Sequence, residues 1–494
     1  LSQLLRSFNV LISSVARSIV RRRTTVIRTG RRELAIKATM KISSPDFDSI
    51  FTPDLKQLRG IFEKEGFELR IAGGAVRDLL MGKAPADIDF ATSATPTMMV
   101  ELFNRESVRM LNTNGEAHGT VTCRIGESNF EVTTLRIDEV CDGRRAKVSF
   151  TKDWELDANR RDLTINALFL DLNGTVVDYV GGVEDCENRR VRFVGKASQR
   201  IQEDFLRILR YFRFFGRISI EGASHDDETI RAIVKNKQGL EQVSPERIWT
   251  EMKRIVIGRQ APTVVKTMID ECGMTSLLGL PSASLSHMGR FSKVFDRGME
   301  TEKKHPGAKL ESMTLVAALC SEKHDIEEFH SKTKLSNAER FLGEFVVERR
   351  EEAKAALNEG ASSPLTYWRR LLAREFGATS AANLRGNSDR ILSKIVQLAI
   401  TVDAPDEVIA DLLTSSYPPS FPVDGVALKD AHVPPGPRMH CVKEYLFDLW
   451  IKSDFTLTKE ELLTHKDDSA IPSPPPKTEK GGKRKRQKTV GDSQ

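Results

Sequence analysis

Every clear strand signal in this 494-residue sequence falls before about residue 195; beyond it, apolar residues recur only at helical spacing. That switch predicts an α+β fold: an α/β head with a mixed sheet, then an all-helical remainder. In the head, the short apolar run Leu69–Ala72 ends in Gly73-Gly74 and is followed by a helical pattern over Ala75–Met81. Further strands are expected at Asp87–Ala91, Gly119–Ile125, Phe130–Leu135 and Leu168–Leu172. Between them, the charged, glycine-containing stretch Asp138–Ser149 reads as a mobile loop. Helices are expected over Arg200–Phe215, Asp227–Lys235, Pro245–Val256, Ala261–Glu271, Leu310–Ala318, Asn337–Ala356 and Asp389–Val402.

Charge is unevenly distributed. The formal balance is +6, from 75 Lys and Arg against 69 Asp and Glu, but much of the excess lies at the two ends. Up to Arg32 the chain carries eight arginines and no acid, mixed with Leu4, Leu5, Phe8, Val10, Leu11 and Ile12, the pattern of a mitochondrial presequence over residues 1–39. A basic RNA-touching arm is the competing reading. Met40 then stands as a possible second start, giving cytoplasmic or nuclear forms. From Ser469 the chain turns rich in Pro, Lys and Gly and is expected to be disordered; Lys483-Arg484-Lys485-Arg486 reads as a nuclear localisation signal or an RNA-touching tail. The core between these ends is close to neutral, so any affinity for nucleic acid must come from local patches. No stretch approaches the roughly 18 uninterrupted apolar residues of a membrane span. The six cysteines include no Cys-x-x-Cys pair, which points to reduced thiols, with neither a disulfide framework nor a zinc site.

The chemistry concentrates in the head. Side chains two apart on a strand share a face, so Asp87 and Asp89 would converge on one spot, and hard cations such as magnesium bind through one or two carboxylates plus substrate phosphates. A bare Asp-x-Asp is a weak signal, more often two solvated acids. Here it follows Gly73-Gly74 at a strand–helix junction, where backbone N–H groups can approach a phosphate, with Arg77 available for a bidentate contact. Glu131, on a neighbouring strand, would complete a carboxylate cluster able to hold two ions. Two weaker features fall away: Gly195-Lys196-Ala197-Ser198 lacks the first P-loop glycine, because position 190 is Arg, and His324-Asp325 has no supporting histidines.

Five segments, in order, resemble the class II tRNA nucleotidyltransferase and bacterial poly(A) polymerase family. Gly73–Asp78 with Asp87-Ile88-Asp89 is similar to its opening signature, and Arg160–Ala167 to its ribose-contacting motif. Asp178-Tyr179-Val180-Gly181-Gly182 resembles its head–neck hinge, with Tyr179 where Pro is common. Glu203–Arg210 resembles the base-reading helix and Ser244–Glu251 the motif that supports it. The resemblance runs from about Met40 to Gly258, and the head is most like animal CCA-adding enzymes.

That resemblance implies a nucleotidyltransferase head at 40–175 and a base-recognising neck at 176–260, followed by a helical body at 261–360 and tail at 361–468 that bind tRNA. It implies template-independent addition of C, C and A to the 3′ end of tRNA from CTP and ATP, releasing pyrophosphate, with no membrane and no obligate protein partner. Gly74 and Arg77 would touch the triphosphate, Asp87 and Asp89 would hold two Mg²⁺ ions, and Glu131 would be the third acid. Arg161, Asp204, Arg207, Arg210 and Arg213 would surround the incoming nucleotide; the plainer reading of the last four is a salt-bridged helix face. A poly(A) polymerase shares the same head motifs, and a catalytically inactive RNA-binding protein is a rival of another class.

Overall fold

The computed structural model describes residues 38–112, 119–141, 146–358, 364–377, 388–414 and 419–474. The acid-free segment up to residue 37 and the basic run Lys483–Arg486 lie outside the described residues. The chain divides into two compact units, Leu1–Phe295 with Glu311–Val347, and Asp296–Leu310 with Glu348–Gln494.

The first unit is built on an eight-stranded sheet. Its strands are β1 (Ala38–Lys41), β2 (Leu69–Ala72), β3 (Asp89–Thr92), β4 (Arg109–Asn112), β5 (Thr120–Ile125), β6 (Ser128–Thr134), β9 (Phe169–Asp171) and β10 (Thr175–Asp178), in the order β1-β10-β9-β2-β3-β6-β5-β4. Only β3 and β6 pair in parallel, so the sheet is mixed as expected. The alternation in β6 buries Phe130, Val132 and Thr134 and leaves Glu131 exposed on the other face. Helices Pro53–Lys64 and Pro96–Arg105 pack against β5; each starts at a threonine, Thr52 or Thr95, whose hydroxyl accepts an orphan N–H, with Pro at the first helical position. Phe62, Phe103, Ile71, Phe90 and Val132 fill this core.

Several expectations are corrected. Ala38 and Thr39, assigned to the presequence, belong to β1, which pairs with β10. Most of the expected loop Asp138–Ser149 is strand: β7 (Arg136–Cys141) and β8 (Ala146–Phe150) pair antiparallel. The pattern was masked by a register shift between Asp138 and Val140, which breaks strict alternation. The helix expected over Arg200–Phe215 is two helices, Ala197–Glu203 and Arg207–Ile218, interrupted at Asp204. Asp204 is extended (φ −154°), and its carboxylate accepts from the Leu206 N–H, a local bond that competes with helix continuation. Ile471, within the stretch expected to be disordered, is buried in the core of the second unit.

The sheet ends at a built joint. The buried Asp178 carboxylate accepts four backbone N–H groups, from Val180, Gly181 and Gly182 at one oxygen and Val183 at the other, at 2.8–3.1 Å. Together they cap the helix Gly182–Glu187. Gly182 must be glycine, since a Cβ there would lie 2.2 Å from the Thr164 carbonyl oxygen. Beyond this joint the first unit is helical, with Pro245–Val256 at its expected bounds.

The second unit is all helical among its described residues. Helix Pro364–Phe376 packs on Ser388–Thr401, Asp406–Thr414 and Pro437–Lys452. Trp368 is buried, as are Val442, Leu446, Trp450 and Ile451 on one side of the last of these helices.

Candidate active site

The catalytic end of the sheet is set by register. Ala72 at the end of β2 sits opposite Asp89 at the start of β3, and Asp89 sits opposite Glu131 in β6. The turn after Ala72 therefore lies beside the two acids. Gly73 makes that turn with φ +67° and ψ −116°, a backbone region essentially reserved for glycine, and a Cβ on it would crowd Arg161 Nη1 at 3.3 Å and the Asn166 carbonyl at 3.4 Å. Gly74, the glycine assigned to the triphosphate, opens the helix Gly74–Leu80 and has room around it.

Asp87 is not on the strand: it lies in a bend two residues before β3 begins. It still acts on its neighbour. Burial, then the Asp87 charge, push the Asp89 carboxyl above the usual carboxylate range against the opposing pull of Arg161. Burial and Asp89 push Glu131 up likewise. Among the described residues, none of these three carboxylates is hydrogen-bonded or ion-paired through its side chain. Nor do any three His, Cys, Asp or Glu form a group able to hold a metal ion among those residues, so Glu131 stands beside Asp89 without completing a three-acid cage.

The basic residues are all occupied. Arg77, assigned to the triphosphate, is 3% exposed; it donates to Asn166 Oδ1 at 2.6 Å and pairs with Asp78 at 2.9 Å. Burial lowers its pKa, with Asp78 opposing. Arg161 lies flat over Phe169, grips Asp157 with two nitrogens and donates Nη1 to the Asn166 carbonyl. The neck helix Arg207–Ile218 presents a row of arginines, each with an acid: Arg207 with Glu203 at 2.7 Å, Arg210 with Asp162 at 2.6 Å, Arg213 with Glu251 at 3.0 Å and Arg217 with Asp78 at 3.3 Å. Burial alone would favour neutral Asp162 and neutral Arg210, but each outweighs that for the other, lowering the acid and raising the base. For Arg213 burial wins and brings it down to about 10. The Phe214 ring lies within 5.7 Å of the guanidinium carbons of Arg77, Arg210 and Arg213.

Asp204 and Arg207, expected as neighbours on one helix, do not pair. Asp204 precedes the helix and bonds Arg247 at 3.1 Å, while Arg207 also donates to the Arg160 and Arg200 carbonyls. Sequence reasoning missed the acids and amide that hold these groups: Asp157, Asp162, Asn166, Glu203 and Glu251. The i,i+4 spacings Asp157–Arg161 and Glu203–Arg207 were the available signal.

The arrangement is a glycine turn beside carboxylates that have no side-chain partner among the described residues, with Arg161 close to both. Over residues 69–192 the chain matches the family described as Poly A polymerase head domain, and over 225–278 the one described as probable RNA and SrmB-binding site of polymerase A. A CCA-adding enzyme of Bacillus pumilus is 39% identical over 47% of this chain and 56% of its own. The crystal structure of the Bacillus stearothermophilus CCA-adding enzyme in complex with CTP gives a TM-score of 0.64 at 24% identity, covering 86% of this chain and 97% of that one. The Thermotoga maritima CCA-adding enzyme complexed with tRNA gives 0.60 at 16% identity, covering 87% and 98%; these two likenesses speak to the fold. The mitochondrial CCA tRNA nucleotidyltransferase 1 of Homo sapiens is 42% identical over 430 residues, 86% of this chain and 93% of that protein. With identity sustained over that much of both proteins, this chain belongs to the CCA tRNA nucleotidyltransferase family and is an enzyme.

Proposed function

We propose that this enzyme adds C, C and A to the 3′ end of tRNA, taking CTP and ATP and releasing pyrophosphate. The observation that supports the reading is the register Ala72–Asp89–Glu131, which sets the glycine turn and two acids without side-chain partners at one sheet end. The 3′ hydroxyl of the RNA attacks the α-phosphate in line, and most of the rate comes from positioning and charge stabilisation. Backbone N–H groups after Gly73 take the triphosphate, and Arg161 steadies the nucleotide from below. Asp204 and Arg207 select the base: a carboxylate accepts from the amino group of C or A, and a guanidinium donates to the ring nitrogen.

Magnesium fits the donor set. Asp87 and Asp89 are oxygen ligands with no protein partner among the described residues, and their mutual repulsion is what a divalent cation would relieve. Bound there, two such ions would lower the pKa of the attacking hydroxyl and neutralise the leaving pyrophosphate. Substrate phosphates and water would supply the remaining ligands, as is usual for magnesium. The helical portions beyond the neck would grip the acceptor stem by shape and phosphate contacts. The name of the human relative supports a mitochondrial location, with cytoplasmic and nuclear forms arising from initiation at Met40.

The test is incorporation on tRNA lacking its CCA end, with each nucleotide alone. CTP incorporation supports this reading. Extension by ATP alone into long tracts would make the chain a poly(A) polymerase, and no transfer with any nucleotide would leave an RNA-binding protein.

A further inference from the structure

One buried carboxylate has no role in the transfer chemistry proposed above yet holds Arg161 directly. Asp157, on the short helix Trp154–Arg160, has a side chain 2% exposed. Its Oδ2 accepts from Arg161 Nε at 3.1 Å and Nη2 at 3.0 Å; its Oδ1 accepts from Arg160 Nε at 2.8 Å and from the Arg136 backbone N–H, at the start of β7, at 3.2 Å. Burial works against the charge, but Arg161 and Arg160 outweigh it and keep the carboxyl below its usual range.

The consequence is geometric. Two charge-assisted bonds converging on one oxygen, with the Phe169 ring centroid 4.8 Å from its guanidinium carbon, leave Arg161 little freedom. Its remaining nitrogen, Nη1, is directed to the Asn166 carbonyl and to the space a side chain at Gly73 would fill, within electrostatic reach of Asp89. We propose that Asp157 is a positioning residue, fixing Arg161 beneath the incoming nucleotide so that the guanidinium meets the substrate without first being ordered. Ordering a free arginine on binding would weaken the nucleotide complex, so the effect belongs in KM more than in kcat. The proposal rests on the reading that the nucleotide binds beside Arg161.

A double-mutant cycle on the full chain tests it, with CTP on tRNA lacking its CCA end. Asp157→Asn should raise the KM for CTP by about tenfold or more while kcat changes by less than about threefold. Introduced into Arg161→Ala, the same change should add less than about twofold, because there is no longer an arginine to hold. Asp157→Glu keeps the charge for a chain that does not tolerate its loss, displaces the carboxylate by one methylene, and carries the same expectation in the same cycle. Multiplicative effects of the Asp157 and Arg161 changes would make Asp157 a structural residue and overturn the proposal. An Arg161→Ala enzyme with an unchanged KM would remove the nucleotide from this place and the proposal with it, whereas additivity sinks the proposal alone.

Discussion

The sheet end and the helix Arg207–Ile218 hold opposite electrostatic states. At the sheet end, Asp87, Asp89 and Glu131 have no side-chain partner among the described residues, and burial followed by like charge raises the pKa of Asp89 and Glu131. On the neck helix, Arg207, Arg210, Arg213 and Arg217 are each matched to an acid. A group binding at the arginines would have to share or displace an acid, whereas one binding at the three carboxylates would displace no described side chain. The cost of exchange differs along the row. Asp204–Arg247, with side chains 31% and 43% exposed, is a surface pair worth about 0–1 kcal/mol, so a nucleotide base can compete for it. Arg213–Glu251, at 13% and 6%, is too desolvated to give up its partner cheaply, which assigns it to architecture.

The largest expected effect breaks the sheet end. Asp89→Ala, or Asp87→Ala, should lower single-turnover transfer by about a thousandfold or more with the melting temperature retained, since an unpaired acid is removed from a metal site. Retention of more than a few per cent of parental turnover in both variants would dissolve the metal assignment. Next comes the neck. Glu251→Ala leaves Arg213 buried without its acid and should cost about 3 kcal/mol of stability in chemical denaturation, far more than any change at the three free acids. A loss below about 1 kcal/mol would mean that the pair is more solvated than its burial indicates.

The third effect is on base choice. Asp204→Ala should shrink the preference for CTP over UTP by about tenfold to a hundredfold, and Asp204→Arg with Arg207→Asp should turn it toward UTP and GTP. Unchanged CTP:UTP ratios in both variants would move selection off this helix. The smallest effect is a linkage at Asp89. Its folded pKa is raised, so folding is favoured below the unfolded carboxyl value and part of that is lost as pH rises through the folded one. Asp89→Asn should therefore match the parent below about pH 4 and exceed it by less than about 1 kcal/mol at pH 7 in low salt, after solvent screening. Added magnesium should raise the parent's melting point and not the variant's. A variant less stable than the parent at pH 7 would mean that Asp89 is paired after all.

Much of this contrast was legible in the sequence, and the rest was hidden for physical reasons. Asp87, Asp89 and Gly73-Gly74 stood out because they lie close together in the chain, and the fold sets the Gly73 turn beside Asp89. The α+β division and the bounds of Pro245–Val256 followed from apolar periodicity. The break at Asp204 was not visible, because Glu203–Arg210 is an acceptable helical sequence until the Asp204 carboxylate bonds the Leu206 N–H. Arg77 looked like a phosphate ligand because its tie to Asn166 spans 89 residues, a contact that only the fold supplies. β7 and β8 were read as a loop because a register shift spoils their alternation.

The Asp178 joint bears on how the head and neck can move. One carboxylate closes four backbone bonds, so the connection has no graded slack: small torques stretch all four together, and a large one releases them as a set. Such a link behaves as a detent, with one seated position and a threshold for leaving it. Tyr179, where the family often has proline, sits inside this loop and keeps its ring against Phe169, tying the threshold to the hydrophobic cluster under the catalytic strands.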